Sequence, residues 1–240
     1  MKIDAVAKTI ISPQPRATKP AELSVSESMK TQENAMEQGS ENLQDAVSLG
    51  QTAESALDSV NSSLQRVRAL SLQAQNGTYS QSDKAVVQTE IDQLLSGIEE
   101  NLKNTEFNTI KLFDGGFEGN IQSGGEGQGR MMKIENTSLE SLGLDNYDIT
   151  KGSSLENIDN AIEKVTQTRG DIGSQVNAYE SAVRSNDVAR ENTLASRNRF
   201  DEDFAKQVSE LKRLQITQQY KYQLQKKSAE NDKSQLNLLT

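Results

Sequence analysis

The chain of 240 residues contains no cysteine and no histidine. It therefore cannot form disulfides, and it offers neither a thiolate nucleophile, nor an imidazole base, nor the usual ligands of transition metals. The missing cysteine does not fix the compartment, because a chain exported unfolded and a cytosolic chain fit it equally well. We expect no catalytic residue, no cofactor and no metal site.

Proline is also scarce, and all three prolines fall within residues 1–20. Pro13 and Pro15 block helix propagation, so this stretch is predicted to be a flexible tail. The alternative is a short binding segment built on Val6, Ile10 and Ile11.

Apolar side chains make up only 33% of the chain, aromatic ones 4%, and the mean hydropathy is −0.71. These apolar and aromatic fractions are low for a compact globular protein and typical of long helices that each bury one narrow stripe. The net charge is −9 and no basic patch stands out, which argues against nucleic-acid binding. No apolar run approaches the roughly 20 residues that span a bilayer, and the first residues lack the apolar core of a secretory signal.

The stretch from Leu64 to Gly116 predicts two amphipathic helices. The first ends near Asn76-Gly77, since Asn and Gly tolerate positive φ. Ser82 is predicted to cap the second, with Asp83 in its first turn. The apolar stripe of the second helix is Val87, Ile91, Leu94, Leu95, Ile98 and Leu102. The seam leading into the first is Ala53, Leu57, Val60, Leu64, Val67 and Leu70, which a generic antiparallel helical bundle would also show.

The helical period stops at Thr105, where a short apolar segment predicts a strand before a glycine-rich stretch. Within that stretch Ile121-Gln122 can pair with Met131 to Ile134 as a β-hairpin. The glycines at 124–127 lack the Lys-Ser or Lys-Thr and the helix start of a phosphate loop. Beyond them, Ser154 is predicted to cap a long helix. Gly170 and Gly173 in that helix predict a bend or a close helix contact.

Two blocks of sequence resemble bacterial flagellin, the first its conserved inner-domain segment and the second the segment that enters its innermost domain. The first contains Leu64-Gln65-Arg66-Val67-Arg68, Gln73 to Thr78, and Asn104 to Gly115; the second contains Ala195-Ser196-Arg197, Asp203-Phe204-Ala205 and Gln215-Ile216. The resemblance implies a mainly α fold, an elongated antiparallel rod of three or four helices with a small β-hairpin. It also implies a structural role, in which the chain is exported to the extracellular flagellum and packs against other flagellin or flagellar subunits.

Set beside flagellins, the chain has a short tail where they have an N-terminal innermost helix, and a short link where most have outer domains. The expected parts are a tail (1–20), N-terminal rod helices (21–104), a hairpin and glycine-rich link (105–152), a C-terminal rod helix (153–204) and a C-terminal arm (205–240). Two alternative functions stay open. One is a cytosolic adaptor or regulator that binds the flagellin export chaperone through its C-terminal helix, and the other is a hook–filament junction protein.

The resemblance implicates four residues in detection by a host flagellin receptor: Gln65, Arg66, Leu70 and Glu90. Ala69 replaces the acidic residue that is usual beside them. The alternative is that Arg66 and Glu90 are only charges on solvated helix faces.

The arm carries apolar residues at helical spacing without a matching helix: Val208, Leu211, Leu214, Ile216, Leu224, Leu236, Leu238 and Leu239. Apolar faces of this kind are ligands for a groove, and the resemblance implies an export chaperone or assembly partner. The acidic pairs at 99–100 and 201–203 are predicted to be solvated charges, because helix neighbours point apart and no ligand loop accompanies them.

Overall fold

The computed structural model describes residues 19–124 and 129–237. The elements of this part are α1 (Lys19–Ala74), α2 (Gln81–Asn104), β1 (Glu106–Phe107), β2 (Ile110–Lys111), β3 (Phe117–Gln122), β4 (Gly129–Ile134), α3 (Leu139–Leu142) and α4 (Leu155–Asn237). The predicted mainly α fold with a small β element is confirmed. The predicted tail lies outside the described residues except for its last two, which belong to α1.

The described part of the chain divides into two compact units, one of residues 34–190 and the other of residues 19–33 with 191–237. In the first unit α1 and α4 run antiparallel. Contacts join Ser40 to Asp187, Asp58 to Arg169 and Arg68 to Asp159. The residue numbers of the partners in α4 therefore decrease as those in α1 increase. The α1 seam from Ala53 to Leu70 is buried as predicted, and α4 faces it with residues such as Ile158, Val165 and Ile172.

α2 packs its predicted stripe against this pair. Val87, Ile91, Leu95, Ile98 and Leu102 are buried, and Leu94 is half-buried at the edge. The apolar period of three and four residues thus places the whole stripe on one face.

The cap of α2 is Ser80, so the prediction of Ser82 is wrong. The Ser80 hydroxyl accepts from the Asp83 N–H at 3.2 Å, and the Asp83 carboxylate accepts from the Ser80 N–H at 2.9 Å. This reciprocal box requires a hydrogen-bond acceptor side chain three positions after the cap. Ser80 has one and Ser82 does not.

The β elements are two antiparallel hairpins. β1 pairs with β2 across Asn108 and Thr109, both at positive φ. β3 pairs with β4 over six residues, from Phe117 opposite Ile134 to Gln122 opposite Gly129. The predicted hairpin therefore forms, but Ile121 and Gln122 pair with Arg130 and Gly129 rather than with Met131 to Ile134. Met132 and Ile134 of β4 are buried, and they join the hairpin to the helical core.

Gly170 and Gly173 lie inside unbroken α4, but the predicted close helix contact is wrong. A Cβ at either position would meet nothing within 4 Å. The close approaches occur at Gly39 and Gly50 of α1 instead. A Cβ at Gly39 would collide with the backbone of Ser123, and one at Gly50 would collide with Val176.

The second unit pairs the start of α1 with the later part of α4. Arg197 and Glu33 form an ion pair at 2.5 Å, and both side chains are largely covered. α4 continues without a break across the predicted boundary at residue 205. If the antiparallel register at Glu33 holds for the whole of α1, Lys19 lies level with about residue 211. Every described side chain from 209 to 228 is exposed.

Candidate interaction surfaces

The four residues that the sequence assigned to receptor recognition divide between surface and core. Arg66 of α1 reaches Glu90 of α2 at 2.7 Å, and both side chains are about half exposed, 58% and 46%. Gln65 is exposed as well. Leu70 is only 4% exposed and packs in the core. The structure therefore brings Arg66 and Glu90 together on one surface and places Leu70 beneath it.

The Arg66–Glu90 pair is an exposed ion pair between helices, of a type that contributes about 0–1 kcal/mol to stability. A second exposed pair, Arg68–Asp159, ties α1 to α4 at 2.5 Å and lowers the pKa of the Asp159 carboxyl through a hydrogen bond from Arg68. These pairs fix the orientation of their side chains on the α1 surface.

The acidic clusters are engaged by lysines of the same helix. Glu99 pairs with Lys103 at 2.5 Å, and Lys206 pairs with Glu202 at 2.9 Å. Within residues 19–124 and 129–237, no group of three or more acidic residues is arranged to hold a metal ion. Both clusters lie on exposed helix surfaces.

A polar clamp that the sequence did not indicate centres on Gln88, a buried residue of α2. Its Nε2 donates to the Tyr147 carbonyl at 3.1 Å, and its Oε1 accepts from the Ile149 N–H at 2.8 Å. The Tyr147 hydroxyl donates to Ser71 of α1 at 2.9 Å, and burial raises the pKa of this tyrosine. The segment before α4 is thereby fixed to both α1 and α2. In the sequence, the feature that could have indicated this clamp is a glutamine directly after Val87 of the apolar stripe.

The apolar residues of the predicted arm lie in the exposed end of α4. The exposed fractions are 51% for Leu211, 59% for Leu214, 65% for Ile216 and 51% for Leu224. Val208 is half-buried. The side chain of Leu236, and both Leu238 and Leu239, lie outside the described part. Tyr220 and Tyr222, at 63% and 70% exposed, extend the same surface and were absent from the predicted set.

Comparison with known proteins identifies the family. The profile of the bacterial flagellin N-terminal helical region matches residues 16–118, and that of the C-terminal helical region matches residues 155–239. A flagellin of Halalkalibacterium halodurans is 35% identical over 208 residues, which cover 83% of this chain and 76% of the relative. The chain belongs to the bacterial flagellin family. This flagellin is a structural subunit of the bacterial flagellum, as the sequence predicted.

Other relatives agree with this assignment. A flagellar filament 30.7 kDa core protein of Treponema maltophilum is 29% identical, with 82% of this chain and 77% of the relative covered. A flagellin of Clostridium tyrobutyricum is 36% identical over 155 residues, and this chain covers 40% of its length. The match thus spans less than half the length of that relative.

Solved structures support the fold. The crystal structure of Bacillus cereus flagellin aligns with a TM-score of 0.54 and 29% identity, covering 61% of this chain and 88% of that one. A putative flagellar hook-associated protein from Vibrio parahaemolyticus aligns with a TM-score of 0.56 at 17% identity, covering 75% and 98%. The second likeness concerns the fold alone. Among the described helices, none is long and apolar enough to cross a bilayer.

Proposed function

We propose that this flagellin is exported from the cytoplasm, joins the extracellular filament and acts by helix packing rather than by catalysis. Membership of the flagellin family supports the filament role. The antiparallel pairing of α1 with α4 supports the packing role, since most of the buried apolar residues lie along these two helices and α2.

The observation that carries the proposal is the uncovered end of α4. From Leu211 to Leu224 the helix exposes six large apolar or aromatic side chains. Exposed apolar surface of this extent marks an interaction site. The partner we propose is a neighbouring flagellar subunit, because a filament subunit must bury surface against its neighbours in order to assemble.

Before assembly, we propose that the same arm binds a flagellin-type export chaperone. An exposed helix with apolar residues at helical spacing suits a groove on a partner. Covering the arm in the cytoplasm would also prevent premature association.

The test is to locate the protein in cells that make flagella. The wild type should appear in sheared, purified flagella, and deletion of residues 205–240 should retain it in the cytosol. The matched control is Val86→Ser, which changes an exposed apolar residue elsewhere on the surface. Wild-type protein found only in cytosol would contradict export and favour the adaptor or regulatory function.

The same preparation separates filament from junction. Gold-labelled antibody should decorate the flagellum along its length if this flagellin is a general filament subunit. A single labelled band at the boundary of hook and filament would instead favour the junction protein.

We also propose that the exposed α1–α2 surface is detected by a host flagellin receptor through Gln65, Arg66 and Glu90. The joint exposure of these side chains supports the proposal. Arg66→Ala and Glu90→Ala should each lower activation of receptor-bearing cells, whereas Arg184→Ala should not. Leu70 is best left unchanged in this test, since its loss would disturb the core. Equal activation by all variants would contradict receptor recognition.

A further inference from the structure

The turn that joins α1 to α2 contains the only asparagine of the chain that precedes a glycine, Asn76 before Gly77. An asparagine loses its amide when the nitrogen of the next peptide group attacks its Cγ, and a side chain on the next residue hinders this attack. Gly77 has no side chain, and a Cβ there would meet nothing within 4 Å. Both residues are exposed and lie between the helices, so the attack requires no change in α1 or α2.

The hydrogen bonds of this turn leave the attacking nitrogen free and polarise the groups that react. In the part of the chain that the structure describes, the Gly77 N–H donates no hydrogen bond. The Asn76 carbonyl, which belongs to the same peptide group, accepts from the Tyr79 N–H at 3.1 Å. This bond withdraws electron density from the peptide group and makes its N–H more acidic. The Thr78 N–H donates to Asn76 Oδ1 at 3.3 Å, where negative charge develops during the attack.

We propose that Asn76 is a self-deamidation site of the folded protein. Hydroxide removes the proton of the Gly77 nitrogen, and this nitrogen forms a bond to Cγ of Asn76. The bond between Cγ and Nδ2 then breaks, and ammonia leaves with a proton from water, which regenerates hydroxide. Water opens the resulting succinimide ring at either carbonyl, so that aspartate or isoaspartate remains. One water is consumed for each ammonia released, and nothing is oxidised or reduced.

The reaction changes one end of the exposed surface that carries Arg66 and Glu90. Gln73, whose amide donates to the Tyr79 hydroxyl beside the turn, lies about 10 Å from Arg66 along the same face of α1. The net charge goes from −9 to −10, because the neutral amide of Asn76 becomes a carboxylate. The helix dipole disfavours a negative charge just past the C-terminal end of α1, and isoaspartate also adds a carbon to the backbone. The turn of each copy thereby records the time since that copy folded.

Peptide mapping of the purified, folded protein tests the reaction. Trypsin releases residues 69–84, in which Asn76 is the only asparagine, and residues 104–111, which contain Asn108. Asn108 is the matched control, because it is also exposed in a turn but precedes the branched side chain of Thr109. During storage, Asn76 should convert to aspartate and isoaspartate several-fold faster than Asn108, at a rate that rises with hydroxide concentration. Conversion of Asn76 no faster than that of Asn108 would overturn the proposal.

Gly77→Ala tests the role of the attacking nitrogen. The added methyl group lies in open space, so this variant should melt like the wild type but should not gain charge during storage. On isoelectric focusing, stored wild type should gain a more acidic band that migrates with fresh Asn76→Asp. Gly97→Ala, another change in open space, should age like the wild type. The measurement requires no flagella, so its result is independent of the filament function. An acidic band that forms equally fast in Gly77→Ala and wild type would overturn the proposal.

Discussion

Asn186 of α4 donates a hydrogen bond from its side-chain amide to the Ser123 carbonyl at 2.6 Å. One residue earlier in β3, the Gln122 carbonyl accepts from the Asn42 side chain of α1 at 3.0 Å. The two asparagines, from antiparallel helices, thus hold the far end of the β3–β4 hairpin against the helical pair. Gly39, one turn before Asn42, allows this close approach because a Cβ there would meet the Ser123 backbone.

Gly39→Ala should therefore lower the free energy of unfolding by roughly 1–3 kcal/mol, since the added methyl collides with backbone rather than with a flexible side chain. The matched control is Gly97→Ala in α2, where a Cβ meets nothing within 4 Å. That change should raise stability by roughly 0.5–1 kcal/mol through helix propensity. Urea unfolding of both variants checks the prediction, which fails if the two alanines shift the midpoint in the same direction.

The α2 stripe should be the most sensitive part of the core. Ile98→Ala should cost roughly 2–4 kcal/mol, because Ile98 is fully buried and its truncation leaves a cavity. Leu94→Ala should cost less, since Leu94 is only half-buried. Val86→Ala, at an exposed position of the same helix, should change the melting temperature little. An unchanged melting temperature for Ile98→Ala would remove this residue from the core.

The helices and the hairpin could be predicted from the sequence because their apolar period is local. Val87 to Leu102 repeats at three and four residues, and Met132 and Ile134 alternate. The close approaches could not be predicted in this way. Gly170 and Gly173 look like packing glycines and face open space, while Gly39 meets Ser123, more than eighty residues away in sequence. Only tertiary structure brings such partners together.

The candidate interaction surfaces could likewise be predicted from the sequence only in part. The apolar arm residues and their spacing could be read from the sequence, but the sequence did not show that α1 covers the Phe200–Phe204 face of α4. Gln88 carried little signal, because its partners are backbone groups of residues 147 and 149. Ser80 could have been found, since Asp83 follows it at the spacing of a capping box.

Acid should weaken the segment before α4. The pKa of the Asp148 carboxyl is lowered from 3.8 to about 2, chiefly by hydrogen bonds from the Thr150 hydroxyl and the Lys151 ammonium. A folded-state pKa below the unfolded one stabilises the fold above about pH 4, and this stability is lost as the pH falls toward 2. Asp148→Asn should therefore show a shallower fall in melting temperature between pH 5 and pH 2. Thr150→Val, which removes one of these hydrogen bonds, should also make the fall in melting temperature shallower, but by less than Asp148→Asn does. A constant offset between wild type and Asp148→Asn across this range would contradict the assignment.

The C-terminal arm should be the most mobile described region of the free monomer, since its side chains gain little from packing. Amide exchange from residue 211 to 228 should be faster than from Ile91 to Leu102. Deleting residues 205–240 should leave the main melting transition nearly unchanged and abolish chaperone binding. Equal chaperone affinity with and without the arm, measured by calorimetry, would rule out its role as the chaperone ligand.

Purified alone at neutral pH, this flagellin should stay monomeric or form small oligomers. The exposed apolar side chains at the end of α4 form one narrow helical surface, and within a flagellum the neighbours are held at high effective concentration. Light scattering and electron microscopy check this expectation. Long filaments formed by the lone protein would overturn it.

The β3–β4 hairpin also determines where this chain can accept new sequence. Gln122 and Gly129 are direct partners across the strands, so the two ends at which an insertion would join the fold lie at adjacent points. Facing residues of an antiparallel pair have Cα atoms about 5 Å apart, a gap that a foreign domain with neighbouring termini can bridge. An insertion between these two residues would interrupt neither the β3–β4 pairing nor α1 or α4, because it lies beyond the last strand pair. The hairpin is thus a natural attachment point for displayed peptides.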